Sequence, residues 1–325
     1  MSAGPSSRRA PAVAPADLLA SAREGHAAAT GRLLSFVERG GAQAREVARV
    51  AVPHTGGCFT VGITGAPGAG KSTLTGRLVG ALRGRAARVA VLAIDPSSPF
   101  SGGAVLGDRI RMQQHALDGG VLIRSMATRG HLGGLSLAVP EAVRLLDAVG
   151  YDWVVIETVG VGQVEVEVAG IADTTVVVVN PGWGDDVQAA KAGLLEVADV
   201  FVVNKADRPG ANQTALELEH MLTTSRTERG WRPPVVATVA SEDVGSQELL
   251  DVLWRHRTWL EGDGRLSAER TRRLWTEVEA IVAERLRQRA RARLEEPHAA
   301  QVRSLVGARV LDPWSAADRL LAAMP

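Results

Sequence analysis

The feature that most constrains the fold is the octapeptide at residues 65–72, which reads Gly-Ala-Pro-Gly-Ala-Gly-Lys-Ser. It fits the pattern G-x-x-x-x-G-K-[ST] and stands between an apolar run (FTVGIT) and a helical run (STLTGRLVGALRG). Glycines let backbone N–H groups turn towards phosphate oxygens, and the N-terminus of the following helix adds partial positive charge. The segment therefore predicts a P-loop nucleotide site in an α/β domain.

The nucleotide phosphates should contact this loop and the first turn of the helix after it. Lys71 is expected to contact the β- and γ-phosphates as a compact positive charge, and the Ser72 hydroxyl to ligate Mg²⁺. The predicted phosphate-binding residues are Gly65, Ala66, Pro67, Gly68, Ala69, Gly70, Lys71, Ser72 and Thr73.

Short apolar runs rich in valine and isoleucine recur along the middle of the chain. They cover residues 59–64, 88–94, 120–124, 153–157, 175–180, 200–204 and 235–239. Continuous rather than alternating apolarity indicates strands buried on both faces, and most of the intervening segments are long enough for a crossover helix. We predict an α/β fold with a mainly parallel central sheet flanked by helices.

The 325 residues allow about two domains. Residues 1–15 are small, proline-rich and free of acid, which predicts a disordered tail. Apolar residues at helical spacing predict a helical segment at 16–55, followed by the P-loop domain at 56–262. Residues 263–325 should also be helical. They hold too little apolar material for a core of their own, so we expect them to pack on the sheet domain or on a second copy of the chain.

Composition excludes several classes of protein. Hydrophobic residues make up 46% and charged residues 22%, as in ordinary folded proteins, and no run approaches the roughly 18 apolar residues of a membrane span. A net charge of +1 gives no electrostatic reason to expect nucleic acid as a partner. The single cysteine, Cys58, excludes an internal disulfide, and we expect a cytoplasmic protein.

Three carboxylates are candidates for the magnesium site. Asp95 and Glu157 each end an apolar run, and open α/β sheets bind ligands at the carboxyl ends of their strands. Asp108 lies in the loop GGAVLGDRIRM. Such hard oxygen ligands suit Mg²⁺. The predicted metal set is Ser72, Asp95, Asp108 and Glu157, and the alternative for each carboxylate is a helix cap or a solvated strand end.

The motif Asn-Lys-Ala-Asp at residues 204–207 ends the run VFVVN and predicts guanine recognition. Asp207 can accept hydrogen bonds from N1–H and the exocyclic amine of guanine, whereas adenine would leave that carboxylate unsatisfied. The Lys205 stem can lie along the base, and Asn204 can reach the base edge and the phosphate loop. Val239 and Ala240 end the next run and could offer a backbone N–H to guanine O6. The predicted ligand is therefore GTP or GDP rather than ATP.

Longer segments around these motifs resemble the MeaB/ArgK/MMAA group of GTPases, which are associated with adenosylcobalamin-dependent methylmalonyl-CoA mutase. The resemblance covers about residues 17–322. Its segments are DPSSPFSGG at 95–103, GDR at 107–109, RSMATRGHLGG at 124–134, ETVGVGQVEVEV at 157–168 and NPGWGDDVQAAKAG at 180–193.

The resemblance implies a SIMIBI-class GTPase fold and a homodimer built partly through the C-terminal helices. It also implies a chaperone role, in which GTP binding and hydrolysis gate cofactor loading and protect an acyl-CoA mutase, by default methylmalonyl-CoA mutase. It assigns Asp95, Asp108 and Glu157 to the metal and switch region, and Asp185 and Lys191 to an additional switch that communicates with the mutase. No D-x-H-x-x-G cobalamin signature occurs in this chain, so we expect cobalamin to belong to the partner.

The second switch departs from the pattern of Ras-like GTPases, which place a water-orienting glutamine directly after its glycine. Val161 occupies that position here, and Gln163 follows two residues later. We therefore predict slow intrinsic hydrolysis that a partner accelerates. Asp95, or a backbone group within 158–163, would orient the attacking water. The predicted catalytic set is Lys71, Asp95, Glu157 and Gln163.

Other functions share parts of this pattern. A metallochaperone-type GTPase for another metalloenzyme should show clustered cysteine and histidine, whereas Cys58 stands alone and the seven histidines are scattered. A transport-associated kinase would transfer phosphate to protein, and the N-K-A-D motif argues against ATP as its donor. A scaffold that uses GTP only to fix its dimer is separated from an enzyme by measuring turnover.

Overall fold

The computed structural model describes residues 13–96, 115, 117–128, 138–158, 164–182, 193, 195–224 and 230–322. The chain divides into two units, Met1–Leu266 and Ser267–Pro325. Among the described residues, no helix combines the length and apolarity that crossing a membrane requires.

In the described part of the chain, three helices precede the sheet: α1 (Pro15–Arg23), α2 (Ala27–Arg39) and α3 (Gly41–Ala51). Their core side chains are those that the sequence places at helical spacing, and they are buried: Leu18, Leu19, Leu33, Leu34, Phe36 and Val37. Arg124 of the sheet donates to the Glu38 carboxylate of α2 at 2.8 and 2.5 Å, an ion pair that ties these helices to the sheet.

Within the described ranges seven strands form one sheet, and each lies on a run that the sequence predicts. They are β1 (Phe59–Gly65), β2 (Val89–Pro96), β3 (Val121–Thr128), β4 (Trp153–Thr158), β5 (Thr174–Val179), β6 (Val200–Asn204) and β7 (Val235–Thr238). Their order is β3-β2-β4-β1-β5-β6-β7, and every neighbouring pair is parallel. The predicted fold class is confirmed.

Helices cover both faces of this sheet. They are α4 (Lys71–Gly84), α5 (Ala138–Val149), α6 (Val164–Ala169), α7 (Ala211–Thr224) and α8 (Ser246–Glu261). Side chains alternate along a strand, so β2 sends Leu92 into the core shared with α1–α3 and α5, and Val91 into the core shared with α4 and α8. The α7 helix packs with Phe201 and Val203 of β6 in a third cluster. Because all seven strands run in the same direction, their carboxyl ends meet at one edge.

The C-terminal unit contains most of α9 (Arg265–Leu294), followed by α10 (Pro297–Gly307) and α11 (Pro313–Ala322). The chain after α9 therefore forms two short helices. Arg309 adopts a left-handed φ of 58° after α10. The Asp312 carboxylate then accepts the N–H groups of Trp314 and Ser315 at 2.9 and 3.0 Å, which caps the new helix.

Candidate nucleotide site

The predicted phosphate loop joins β1 to α4 at the carboxyl edge of the sheet, and two of its glycines are required by the backbone. Gly65 has a φ of 134°, and a Cβ atom there would lie 2.0 Å from the carbonyl oxygen of Val178. Gly70 has a φ of 93°, and a Cβ atom there would lie 2.3 Å from the side-chain nitrogen of Asn204. Both positions combine a left-handed backbone with a close approach, so only glycine fits.

Lys71 is the first residue of α4, and its side chain returns to the beginning of the loop. Its Nζ donates to the carbonyl oxygens of Gly65 at 2.7 Å and Ala66 at 3.0 Å, and the residue is only 6% exposed. A compact ammonium group with three rotatable donors can exchange such carbonyl contacts for phosphate oxygens.

The structure brings two predicted metal ligands together. Ser72 Oγ donates to Glu157 Oε1 at 2.5 Å, and both residues are buried. The next residue, Thr158, donates to Thr64 Oγ1 at 3.0 Å and so joins the carboxyl end of β4 to that of β1. A hydroxyl and a carboxylate are the hard oxygen donors that Mg²⁺ prefers, so this pair fits the ion.

The remaining predicted metal, catalytic and switch residues are less fully described. Asp95 lies near the carboxyl end of β2, where its backbone pairs with Ala127 of β3, and its side chain lies outside the described part of the chain. Asp108, Gln163, Asp185 and Lys191 also lie outside the described residues.

Asn204, at the end of β6, connects the phosphate loop to the segment after β7. Its Nδ2 donates to the Ala69 carbonyl at 2.8 Å. Its Oδ1 accepts from Thr238 Oγ1 at 3.0 Å and from the Ala240 N–H at 3.1 Å. The residue is 2% exposed. Hydrogen bonds at both its nitrogen and its oxygen therefore fix the orientation of this buried amide.

Lys205 and Asp207 follow in the turn after β6. Lys205 has a left-handed φ of 58°, and its Nζ donates to the Gly68 carbonyl at 2.6 Å, so its stem reaches from the base motif to the phosphate loop. The Asp207 side chain is exposed. An exposed carboxylate in this turn can accept the two donors of a guanine edge.

Val239 and Ala240, the candidates for contacting guanine O6, both donate within the protein. The Val239 N–H bonds to the Val244 carbonyl at 3.0 Å, and the Ala240 N–H bonds to Asn204. Either group would have to share or exchange its bond to reach a base. Sequence reasoning does not single out Thr64 as a site residue, although it precedes the loop and holds Thr158.

Comparison with known proteins places the chain in a family. A family model described as methylmalonyl-CoA mutase-associated GTPase MeaB matches residues 30–295. A protein of Pyrococcus abyssi named as a GTPase is 49% identical over 308 residues, which cover 94% of this chain and 95% of that protein. GTPase ArgK of Escherichia coli is 38% identical, covering 76% and 77% of the two chains.

A mammalian relative and a solved structure extend the similarity. The mouse mitochondrial methylmalonic aciduria type A homolog is 36% identical over 82% of this chain and 65% of its own length. A crystal structure titled LAO/AO transport system kinase superposes with a TM-score of 0.73 at 26% identity, covering 95% of this chain and 96% of that one.

Proposed function

Because the chain belongs to the MeaB family of methylmalonyl-CoA mutase-associated GTPases, we propose that it is a GTP-hydrolysing chaperone of an adenosylcobalamin-dependent acyl-CoA mutase. Methylmalonyl-CoA mutase is the first client to test. Hydrolysis of GTP to GDP and phosphate would gate cofactor loading and protect the mutase. The observation that carries its GTP-binding part is Asn204, whose one buried amide bonds both the phosphate loop and Ala240, a candidate for contacting guanine O6. The metallochaperone and kinase alternatives are not favoured by this family membership.

Phosphoryl transfer to water needs positioning and charge stabilisation rather than a covalent nucleophile. Lys71 and the loop N–H groups would bind the β- and γ-phosphates and stabilise the charge that develops there. Mg²⁺, when bound, would supply further positive charge at the phosphate oxygens. Ser72 and Glu157 would hold it, with Asp95 and Asp108 as further candidate ligands.

Guanine selection would come from Asp207, which accepts the paired donors of the base, while Lys205 lies along it. Gln163 and the segment before it would act at the hydrolytic water. We assign Asp185 and Lys191 to the switch that contacts the mutase, and we expect hydrolysis to be slow until that contact forms. Cobalamin would remain with the mutase.

A homodimer contact is assigned to the C-terminal helices. Apolar residues recur every four positions on α9 and are 44–57% exposed: Leu274, Val278, Val282 and Leu286. Such a stripe on one helical face is expected to be covered by another protein surface. We propose a cytoplasmic dimer in which 1–15 is a tail, 16–55 the helical preface, 56–262 the GTPase domain and 263–325 the dimerisation segment.

The test is the rate of GTP hydrolysis by the purified chain, alone and with the acyl-CoA mutase of its own organism, with ATP as the control nucleotide. We expect a slow, GTP-only rate that rises several-fold with the mutase. An unchanged rate would exclude that mutase as the client. Absence of GTP turnover in both conditions would refute the proposal that the chain is a GTPase.

A further inference from the structure

Arg77 lies on α4, six residues after Lys71, and its guanidinium group reaches the segment after β7. Its Nε donates to the Ala240 carbonyl at 2.9 Å, and its Nη2 donates to the Ser241 carbonyl at 2.9 Å. Six helical residues rise about 9 Å, so one helix contacts the phosphate loop at its start and this segment further along. We call residues 239–245 the base loop.

The base loop is a short structure in which Val239 takes part in three backbone hydrogen bonds, one with Glu242 and two with Val244. It consists of a single turn, Ala240–Glu242, closed by a bridge between Val239 and Val244. Asp243 has a left-handed φ of 62° within it. Within this turn the Val239 carbonyl accepts the N–H groups of Glu242 and Val244, and the Ala240 and Ser241 carbonyls accept from the Arg77 guanidinium, which therefore helps to set their orientation.

The Ala240 residue is fixed from two directions. Its N–H donates to Asn204, the first residue of the Asn-Lys-Ala-Asp motif, and its C=O accepts from Arg77 of α4. Asn204 also donates to Ala69 of the phosphate loop. The contacts therefore form a closed ring, from the phosphate loop through Asn204 and Ala240 to Arg77 and back along α4.

From this ring we propose that Arg77 is a positioning residue for guanine: it orients the base loop so that a backbone N–H of that loop can meet the base. The inference rests on the proposed GTP binding and adds a residue that none of the nucleotide motifs contains. Arginine suits the task because its planar fork presents two donors to two adjacent carbonyls at once. Lysine could satisfy one of them, and alanine neither.

The experiment compares Arg77→Ala and Arg77→Lys with the full wild-type chain. A matched control is Arg85→Ala, which removes an arginine from the C-terminal cap of the same helix and breaks its 2.7 Å pair with Asp251 of α8, away from the base loop. Steady-state GTP hydrolysis gives KM and kcat, and direct binding gives the Kd for GDP. Thermal unfolding of each variant without nucleotide checks that it is folded.

We expect Arg77→Ala to raise KM and the Kd for GDP about tenfold, the scale of losing hydrogen bonds from a charged donor, with kcat within about twofold. Arg77→Lys should recover part of the loss, and Arg85→Ala should match the wild type. Inosine triphosphate keeps O6 but lacks the exocyclic amine, so Arg77→Ala should penalise it by the same factor as GTP.

Three outcomes would overturn the assignment. One is an Arg77→Ala variant with the KM of Arg85→Ala, and another is a loss confined to kcat, which would place Arg77 in the chemistry. The third is an Arg77→Lys variant that is folded yet no better than alanine. If Arg77→Ala does not fold, the lysine variant decides alone: a KM above that of the wild type supports the assignment, and a KM equal to that of the wild type overturns it. A wild-type chain that binds no GTP would instead refute the proposed function.

Discussion

The two edges of the sheet both hold polar side chains, and they use them differently. At the amino edge, Asp152, Asp173 and Asp199 each stand directly before a strand. Each accepts a backbone N–H from the chain beside it, from Arg88 at 2.7 Å, Thr60 at 3.0 Å and Thr175 at 2.8 Å. These carboxylates therefore satisfy main-chain donors where strands begin.

At the carboxyl edge, the side chains bond to loop carbonyls and to one another. Lys71 and Lys205 donate to carbonyls of the phosphate loop, and Ser72 donates to Glu157. An ammonium, a hydroxyl and a carboxylate can exchange such partners for phosphate, metal or base without breaking a strand. The amino edge therefore maintains the fold, and we expect ligands to bind at the carboxyl edge.

The largest expected effect comes from the carboxyl edge. Replacing Lys71 by alanine removes the charge that would meet the β- and γ-phosphates, so we expect GTP hydrolysis to fall by at least about 100-fold. Without nucleotide the variant should still be folded. Turnover and thermal unfolding measured on the same preparations check this. A variant that keeps a tenth or more of the wild-type rate would contradict the role of Lys71.

Acid should lower the free energy of unfolding through His256 of α8, which lies at the amino edge. The ring is buried beside Trp231 and Trp259, its Nδ1 lies 2.8 Å from Thr174 Oγ1, and burial lowers its pKa to about 4, against an opposing attraction from Asp173. The folded protein thus favours the neutral ring. The contribution of His256 to the free energy of unfolding is complete above pH 6.5, the pKa of the ring in the unfolded chain. It is lost as the pH falls towards 4, and the loss is about 3 kcal/mol at most.

Denaturant unfolding from about pH 7 to about pH 4 tests this, with His256→Gln as the comparison. Acid effects from the carboxylates are common to both proteins, so the wild type should lose more free energy of unfolding over the range. Parallel pH profiles would show that His256 is not the cause.

A smaller effect on stability is expected from Asp147 of α5. Its carboxylate accepts the N–H groups of Gly56, Gly57 and Cys58, which lead into β1, at 2.6, 3.1 and 2.9 Å. Asp147→Ala should lower the free energy of unfolding by about 2 kcal/mol while the folded fraction keeps its KM for GTP. Glu46→Ala is the control, because that acid forms an exposed pair with Arg49 on α3 and should matter little. A raised KM for GTP in Asp147→Ala would contradict the idea that the amino edge affects only stability.

Local signals in the sequence were sufficient for the fold class and for the position of the loop. Valine-rich runs buried on both faces indicated all seven strands, and the spacing of Gly65, Gly70 and Lys71 indicated the phosphate loop. The three aspartates of the amino edge also had a sequence signal, since each immediately precedes an apolar run, but only the parallel register shows which N–H each one accepts.

What the sequence by itself determined is what neighbouring residues determine: a parallel α/β sheet, a phosphate loop and a guanine motif. Only the tertiary structure decided which distant groups meet, such as Ser72 with Glu157 and Arg77 with Ala240, 163 residues away along the chain. The physical reason is that a hydrogen bond across the fold leaves no periodicity in the chain. Its two partners become neighbours only when the order of the strands sets their helices and loops side by side.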